Sequence, residues 1–361
     1  MILRTAGRAA LPLTVVLAAL ATYAQLTIPN RPAQPLFKGE QGRQHTEIHF
    51  DPATRTVTLK LLVQDPSGYF IPNIPRDSFV VYEDGVRQKI VSADVERAPA
   101  SIVLLMEHGS PYPDLSGLDA GLTLAGQQLL DRLDRDDKIA VFQYAEKITT
   151  LTDFTHPHDL LDEIFYSENQ PASSQTKLFD ALVFAAKRIR PVPGRKGIIL
   201  ISSGVDTFSK ATFTDALNSV GECGAPVYAI GLGIVIQDLA KLAPPERPFA
   251  KVDWQAANDR LMKIARESGG RAYFPPNTID LSPIFSDILE NLKVRYVIAY
   301  KSSTQAPLTA PRQVRVDLVD PKTGGALPIV DANGKKIAAK VVVEQSYTPA
   351  ALVTRNIQER R

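Results

Sequence analysis

The run Ser101-Ile102-Val103-Leu104-Leu105-Met106 constrains this chain more than any other stretch. It is apolar without polar alternation and far too short to cross a bilayer, so it reads as a strand buried on both faces. Strands of that kind belong to mostly parallel sheets with helices on each side. In such sheets ligands bind beyond the carboxyl ends of the strands, which places Glu107, His108 and Ser110 at a binding edge.

The following segments fit that sheet. Ser116 and Asp119 resemble a capping box, and Leu118, Leu122, Ala125, Leu129 and Leu133 recur at helical spacing. Residues 138–144 read as a second buried strand, 148–151 as a short third one, and 159–165 as a short helix capped by His156-Pro157-His158. Thr176 opens a further helix with Leu178, Ala181, Leu182, Ala185 and Ile189 on its inner stripe. Strand-like stretches at 197–202, 226–230 and 271–274 then alternate with helical patterns at 212–220, 254–267 and 281–293, and the Pro-rich stretch 242–248 reads as a surface insertion. The alternation predicts an α/β domain, a doubly wound and mostly parallel sheet.

On both sides of this segment the period changes to two. Residues 45–50, 56–63 and 78–82 precede it, separated by the turn signals Asp51-Pro52, Asp65-Pro66-Ser67-Gly68 and Asp84-Gly85. Residues 295–300, 313–319 and 339–343 follow it, with turns at Gly324-Gly325 and Asn333-Gly334. Neither set can bury a core by itself, so the two are expected to pair as a small antiparallel β-sandwich around the inserted sheet. His45, Glu47 and His49 share one strand face, but no fourth metal ligand accompanies them, and a solvated outer face explains the alternation. Asp331-Ala332-Asn333-Gly334 lacks the distal Glu of a calcium loop and reads as a hairpin.

Arg4 and Arg8 precede an apolar run over residues 9–21, and Thr22-Tyr23-Ala24 offers the small residues of a signal-peptidase site, with Ala19-Leu20-Ala21 as an earlier cut. The run is short for an anchor helix and contains Pro12. The expected organisation is a signal peptide over 1–24, a flexible arm over 25–44, an N-terminal β segment over 45–98, the sheet domain over 99–293, a C-terminal β segment over 294–350 and a tail to 361. Export to the periplasm or beyond follows, with no stable membrane span after cleavage. Removing Arg4 and Arg8 from 41 basic residues leaves 39, equal to the 39 acidic ones, so nothing attracts nucleic acid in bulk. Cys223 is the sole cysteine and can form no intramolecular disulfide; it reads as a small filler at a helix end.

No Gly-x-Ser-x-Gly elbow, Walker loop, dinucleotide fingerprint or His-Glu-x-x-His occurs, so Ser110 beside His108 is not a convincing nucleophile and base. An enzyme is not the expectation.

These segments carry a resemblance. Residues 101–274 resemble a von Willebrand factor A domain, and the mature chain resembles the exported bacterial family described as VWFA-related, of the Acidobacteria type. The opening pattern is Val63-Gln64-Asp65-Pro66-Ser67-Gly68 followed by Asp77-Ser78-Phe79-Val80-Val81-Tyr82-Glu83-Asp84-Gly85. The closing one is Ser268-Gly269-Gly270-Arg271-Ala272-Tyr273-Phe274 followed by Leu292-Lys293-Val294-Arg295-Tyr296-Val297-Ile298-Ala299-Tyr300.

The resemblance implies a metal-ion-dependent adhesion site (MIDAS) made from three loops. The family's first loop reads Asp-x-Ser-x-Ser, where this chain has Glu107-His108-Gly109-Ser110-Pro111. Thr176 matches the second-loop threonine, and Ser202-Ser203-Gly204 stands where the third loop has Thr-Asp-Gly. The implied ligands are Glu107, Ser110, Thr176 and Ser203, with Asp206 or Asp114 as substitutes. Mg²⁺ demands near-octahedral hard oxygens, and Glu107 adds one methylene, about 1.5 Å of reach. The site is therefore expected to be degenerate, holding Mg²⁺ weakly or not at all, with Thr176 capping its helix. The resulting expectation is an exported, non-enzymatic binding module that presents Glu107, His108, Thr176 and Asp206 to an unidentified protein partner. Two further readings are divalent-cation-dependent adhesion through Glu107 and Thr176, and a structural component of an envelope assembly.

Overall fold

In the computed structural model the described residues are 26–27, 46–108, 116–160, 175–240, 252–277 and 281–352, with backbone alone for 116–120 and 239–240. The proposed signal peptide, His45, Ser110, Asp114, most of the helix expected over 159–165, the stretch 242–248 and most of the tail lie outside them.

The N-terminal part supplies strands β1 (Leu26–Thr27), β2 (Glu47–Asp51), β3 (Thr56–Gln64), β4 (Phe79–Glu83), β5 (Val86–Gln88) and β6 (Ile90–Arg97). The sheet domain follows, as β7 (Ala100–Glu107), α1 (Ser116–Leu130), β8 (Lys138–Tyr144), β9 (Ile148–Thr155), α2 (Leu178–Ile189), β10 (Arg195–Ser202) and α3 (Phe213–Glu222). It continues through β11 (Val227–Gly231), α4 (Gly233–Ala240), α5 (Trp254–Ser268), β12 (Arg271–Tyr273) and α6 (Ser282–Lys293). The C-terminal strands are β13 (Val294–Lys301), β14 (Arg312–Leu318), β15 (Ile329–Val330), β16 (Lys340–Val342) and β17 (Ser346–Tyr347).

Every residue of β7 is buried, as its unbroken apolar run requires. Ile102, Leu104 and Met106 join one core with Leu122 and Leu129 of α1 and Ile288 and Leu292 of α6. Val103 and Leu105 point the other way, into a second core with Leu182 of α2, Val220 of α3 and Leu261 of α5. The sheet runs β12-β11-β10-β7-β8-β9, parallel except for β9, which lies antiparallel to β8 at one edge. This is the doubly wound, mostly parallel α/β fold expected. The strand order reverses between β7 and β10, so the position at which such sheets take ligands falls beside Glu107. Thr212 caps α3 in a capping box with Asp215, which gives that helix the start its sequence announces. Cys223 ends the same helix, buried, with its thiol donating to the Val220 carbonyl. No helix among the described residues is long and apolar enough to cross a membrane.

The outer β segments interleave. In one sheet β13 lies between β3 and β6, and the far side of β3 pairs with β2 along its first half and β16 along its second. The facing sheet runs β17-β14-β4-β5, so each sheet joins strands from both ends of the chain. Tyr296, Ile298 and Tyr300 from β13 meet Leu59 and Leu61 of β3 and Val314 and Val316 of β14 in the sandwich core. The pairing expected between the two β segments is thus present. Glu47 and His49 face outward, and Glu47 pairs with Lys60 at 3.7 Å, in keeping with a solvated face.

Candidate functional site

The carboxyl ends of β7, β8 and β10 stand side by side, with Glu107 in register with Tyr144 and with Ser202 closing β10. Glu107 continues the parity of Val103 and Leu105, so its side chain turns to the face covered by α2, α3 and α5. There its carboxylate is held from the third loop. Oε2 accepts the Ser203 N–H at 2.6 Å and the Ser202 hydroxyl at 3.1 Å, and Oε1 accepts the Ser203 hydroxyl at 2.9 Å. The Tyr144 hydroxyl lies 3.3 Å from Oε2 and 2.7 Å from Ser202 Oγ. Burial pushes the Glu107 carboxyl up from its ordinary value, against the opposing effect of the hydrogen bonds from Ser203, Ser202 and Tyr144. The Tyr144 hydroxyl is pushed well up by burial and by the Glu107 charge beside it.

The third loop is itself fixed. Gly204 has φ of +80°, and a Cβ there would come 2.5 Å from the Ala257 carbonyl oxygen, so the loop packs against the α5 backbone in a way only glycine permits. Ser202 Oγ accepts the Gly204 N–H and Ser203 Oγ accepts the Val205 N–H, which completes the turn.

Thr176 precedes α2 but does not cap it. The N-cap is Lys177, without a side-chain cap bond, and the buried Thr176 hydroxyl has no hydrogen-bond partner among the described residues. The capping expected of Thr176 is therefore supplied from elsewhere. Asp206 accepts the Phe179 N–H at 3.1 Å and Ser209 Oγ accepts the Asp180 N–H at 3.1 Å. Asp180 returns the bond by accepting the Lys210 and Ala211 N–H groups. Two loops far apart in sequence thus cap each other, and Asp206 is spent on the α2 N-terminus. The helix that His156-Pro157-His158 is expected to cap lies mostly outside the described residues. His156 itself makes no side-chain cap bond to the Pro157–Asp159 turn, and its Nδ1 lies 3.0 Å from the Asp137 carbonyl.

Of the implied site residues, the structure brings Glu107 and Ser203 into direct contact and turns both inward. Glu107 is 6% exposed and Thr176 1%, so neither presents its polar atoms at the surface. His108 is half-buried, and its N–H donates to the Tyr144 carbonyl. Three contributors escaped the sequence reading: Tyr144, Lys177 and Phe208. Register with Glu107 would have found Tyr144. Phe208 is 48% exposed and carries the Lys177 ammonium 4.9 Å above its ring, the most prominent apolar group on the third loop.

No family model and no curated protein matches this chain. Solved structures that resemble it include a von Willebrand factor type A protein from Catenulispora acidiphila, at 13% identity over 77% of this chain and 75% of that one, TM-score 0.44. Another is proximal thread matrix protein 1 of the mussel byssus, at 16% identity over 57% of this chain, TM-score 0.42. The match spans 49% of the mussel protein, about half its length, and that protein has also been solved with a zinc-occupied MIDAS motif. A third is an aerotolerance-related membrane protein from Bacteroides fragilis, at 16% identity over 54% of this chain and 99% of that one, TM-score 0.39.

A divalent ion can be tested against the donors present. Among the described residues no three His, Cys, Asp or Glu side chains gather where they could hold a metal. Among the described residues Glu107 is the one carboxylate at the end of β7, and hydrogen bonds from Ser202 and Ser203 occupy it. Among the described residues the Thr176 hydroxyl is a buried hard oxygen without a hydrogen-bond partner. Taken alone, these described donors do not fit the near-octahedral shell of hard oxygens that Mg²⁺ requires, and Ser110 and Asp114 lie outside the described residues.

Proposed function

We propose that this chain is an exported, non-enzymatic protein-binding module of the VWFA-related kind, whose sheet edge works without a metal ion. The observation that carries this reading is the inward lock of Glu107. Its carboxylate takes hydrogen bonds from Ser202 and Ser203, so the negative charge that would attract a cation is answered by the protein's own donors. The partner contact then falls to groups that remain at the surface of the same edge, chiefly Phe208 with Lys177 over its ring. An exposed aromatic next to a cation suits a protein surface, where such residues supply much of the binding energy.

A second reading, divalent-cation-dependent adhesion through Thr176 and Glu107, draws support from one feature. The Thr176 hydroxyl is buried and without a partner among the described residues, and a missing ligand is one reason for such a group. Magnesium titration of the mature chain separates the two readings. On the metal-free reading, millimolar Mg²⁺ leaves the melting temperature nearly unchanged, and chelator leaves capture of the partner intact while Phe208→Asp abolishes it. A gain of about 2 to 3 kcal/mol at a hundredfold excess over the dissociation constant, lost in Thr176→Ala, would establish the ion-dependent reading instead.

A further inference from the structure

We infer that the β-sandwich carries a second docking surface, at the outer edge of β6, which takes an extended acidic segment of another protein as an added strand. Strand β5 ends the four-stranded sheet and β6 ends the five-stranded one, and the chain crosses from one to the other through Lys89. Among the described residues neither outer edge is paired. Alternate residues of such a strand turn their N–H and C=O groups away from the sheet, and these are a ready template for another strand.

The side chains around this edge specify what would pair there. Val86, Val91 and Val95 are 56%, 52% and 56% exposed and all lie on β5 or β6. Where the chain changes sheets, a cleft of about 840 Å³ is lined by Arg76, Arg87 and Lys89 above an apolar floor of Phe79 and Ile90, with Asp77 as its one carboxylate. The Arg76 guanidinium donates to the carbonyls of Ile90 and Val91, which fixes the start of β6 beside the bulge in its pairing with β13. Gln88 anchors β5 from within, donating to the Val86 carbonyl and accepting the Ser303 N–H. The template is therefore held in place before any partner arrives, which lowers the ordering cost of binding. Arg87 and Lys89 are exposed, and among the described residues neither enters an ion pair.

Positive charge on an edge normally guards it against pairing with a copy of itself. A second copy offering β6 would bring Asp94, Glu96 and Arg97, a net charge of only −1, with Glu96 already paired to Lys60 and Arg195 and Arg97 to Asp134, and so gives a poor complement to three cations facing one carboxylate. A segment alternating acidic and β-branched residues does complement it. Its carboxylates reach Arg87 and Lys89, its apolar residues cover Val91 and Val95, and its backbone pairs with β6.

The test uses the mature chain and fluorescein-labelled peptides of about ten residues, read by anisotropy. A Val-Glu repeat should bind and weaken as salt is added, while a Val-Lys repeat and a Val-Glu repeat with a central proline should fail. The variant Arg87→Glu/Lys89→Glu should lose about tenfold or more in affinity with an unchanged melting temperature, since both residues are exposed. Hydrogen exchange at residues 92–95 should slow on binding. Absence of binding by the Val-Glu peptide overturns the inference, as does equal binding of the two charge types or full affinity in the double variant. Sedimentation showing a dimer that Val95→Glu dissociates would assign the edge to a second copy and overturn it equally.

Discussion

At the scale of single residues, one methylene decides how the sheet edge works. The longer stem of Glu107 carries its carboxylate to the Ser203 N–H and hydroxyl, and the short Ser203 side chain leaves room for it. Burial raises the Glu107 carboxyl above its ordinary value, with Ser203, Ser202 and Tyr144 opposing. The fold therefore holds this proton more tightly than the unfolded chain does. Its stabilising contribution is full below the ordinary value of 4.5 and is lost as pH rises through the folded value. Glu107→Gln cannot titrate, so the stability advantage of the parent over this variant should be largest near about pH 4 and shrink steadily toward neutrality. Denaturant unfolding at a series of pH values reads this directly, and an advantage that grows with pH would contradict the raised carboxyl. Thr176 gives a second test. Its hydroxyl has no partner among the described residues, and replacing it with a methyl removes a buried polar atom at constant shape, so Thr176→Val should gain about 1 kcal/mol in metal-free buffer.

At the scale of elements, the sandwich is closed by a polar cluster between strands from opposite ends of the chain. Glu83 of β4 accepts the hydroxyls of Tyr300 at 2.7 Å, Ser302 at 2.5 Å and Tyr347 at 2.8 Å, and lies 3.4 Å from the Arg312 guanidinium. Burial pushes its carboxyl up, but the hydrogen bonds from Ser302, Thr304, Tyr300 and Tyr347 outweigh it and hold the group below its ordinary value. Arg312 is fully buried beside Phe50 and Tyr347. Arg312→Met should cost about 3 to 5 kcal/mol in chemical denaturation, because it leaves the Glu83 charge buried without its cation. None of this cluster was legible, since Glu83 and Arg312 are 229 residues apart and each falls singly at the end of an expected strand, 78–82 and 313–319. The strands β7, β8, β10 and β11 were legible, because burial on both faces leaves a continuous apolar run. Strand β6 was not. It is an edge, its charged residues break the alternation, and half of its positions are exposed. Helix α4 follows β11 directly and is too short to declare a period. At the sheet edge the ends of β7 and β10 were located from sequence, but the inward turn of Glu107 and the capping of α2 by Asp206 depend on loops that meet only in space.

At the scale of the whole molecule, the sheet domain is inserted between two halves of one sandwich, and the chain enters and leaves it at a single joint. The entering strand passes Ala98 and Ala100, whose N–H groups donate to the Lys293 carbonyl at 3.1 Å and to the Asp137 carboxylate at 2.8 Å. The leaving strand begins at Val294, directly after Lys293. The Lys293 ammonium is fully buried and paired with Asp134 and Asp137, and its carbonyl also accepts the Arg195 guanidinium, which reaches on to Glu96 of β6 at 2.8 Å. Further along the interface Arg271 bridges the Gly68 carbonyl and Asp287, and the Gln64 amide donates to Asn291 at 2.9 Å. With buried charge tying strands of both units, the sheet domain and the sandwich should melt together in a single calorimetric transition. Lys293→Met keeps the length of the side chain but strips the counter-charge from buried Asp137, and should cost about 3 to 5 kcal/mol. Because the lost contacts lie at the joint rather than in either core, the variant should also split the transition into two, the sandwich and the sheet domain melting apart. A variant that melts in one step at the parent temperature would show that the two units are coupled by something other than this joint.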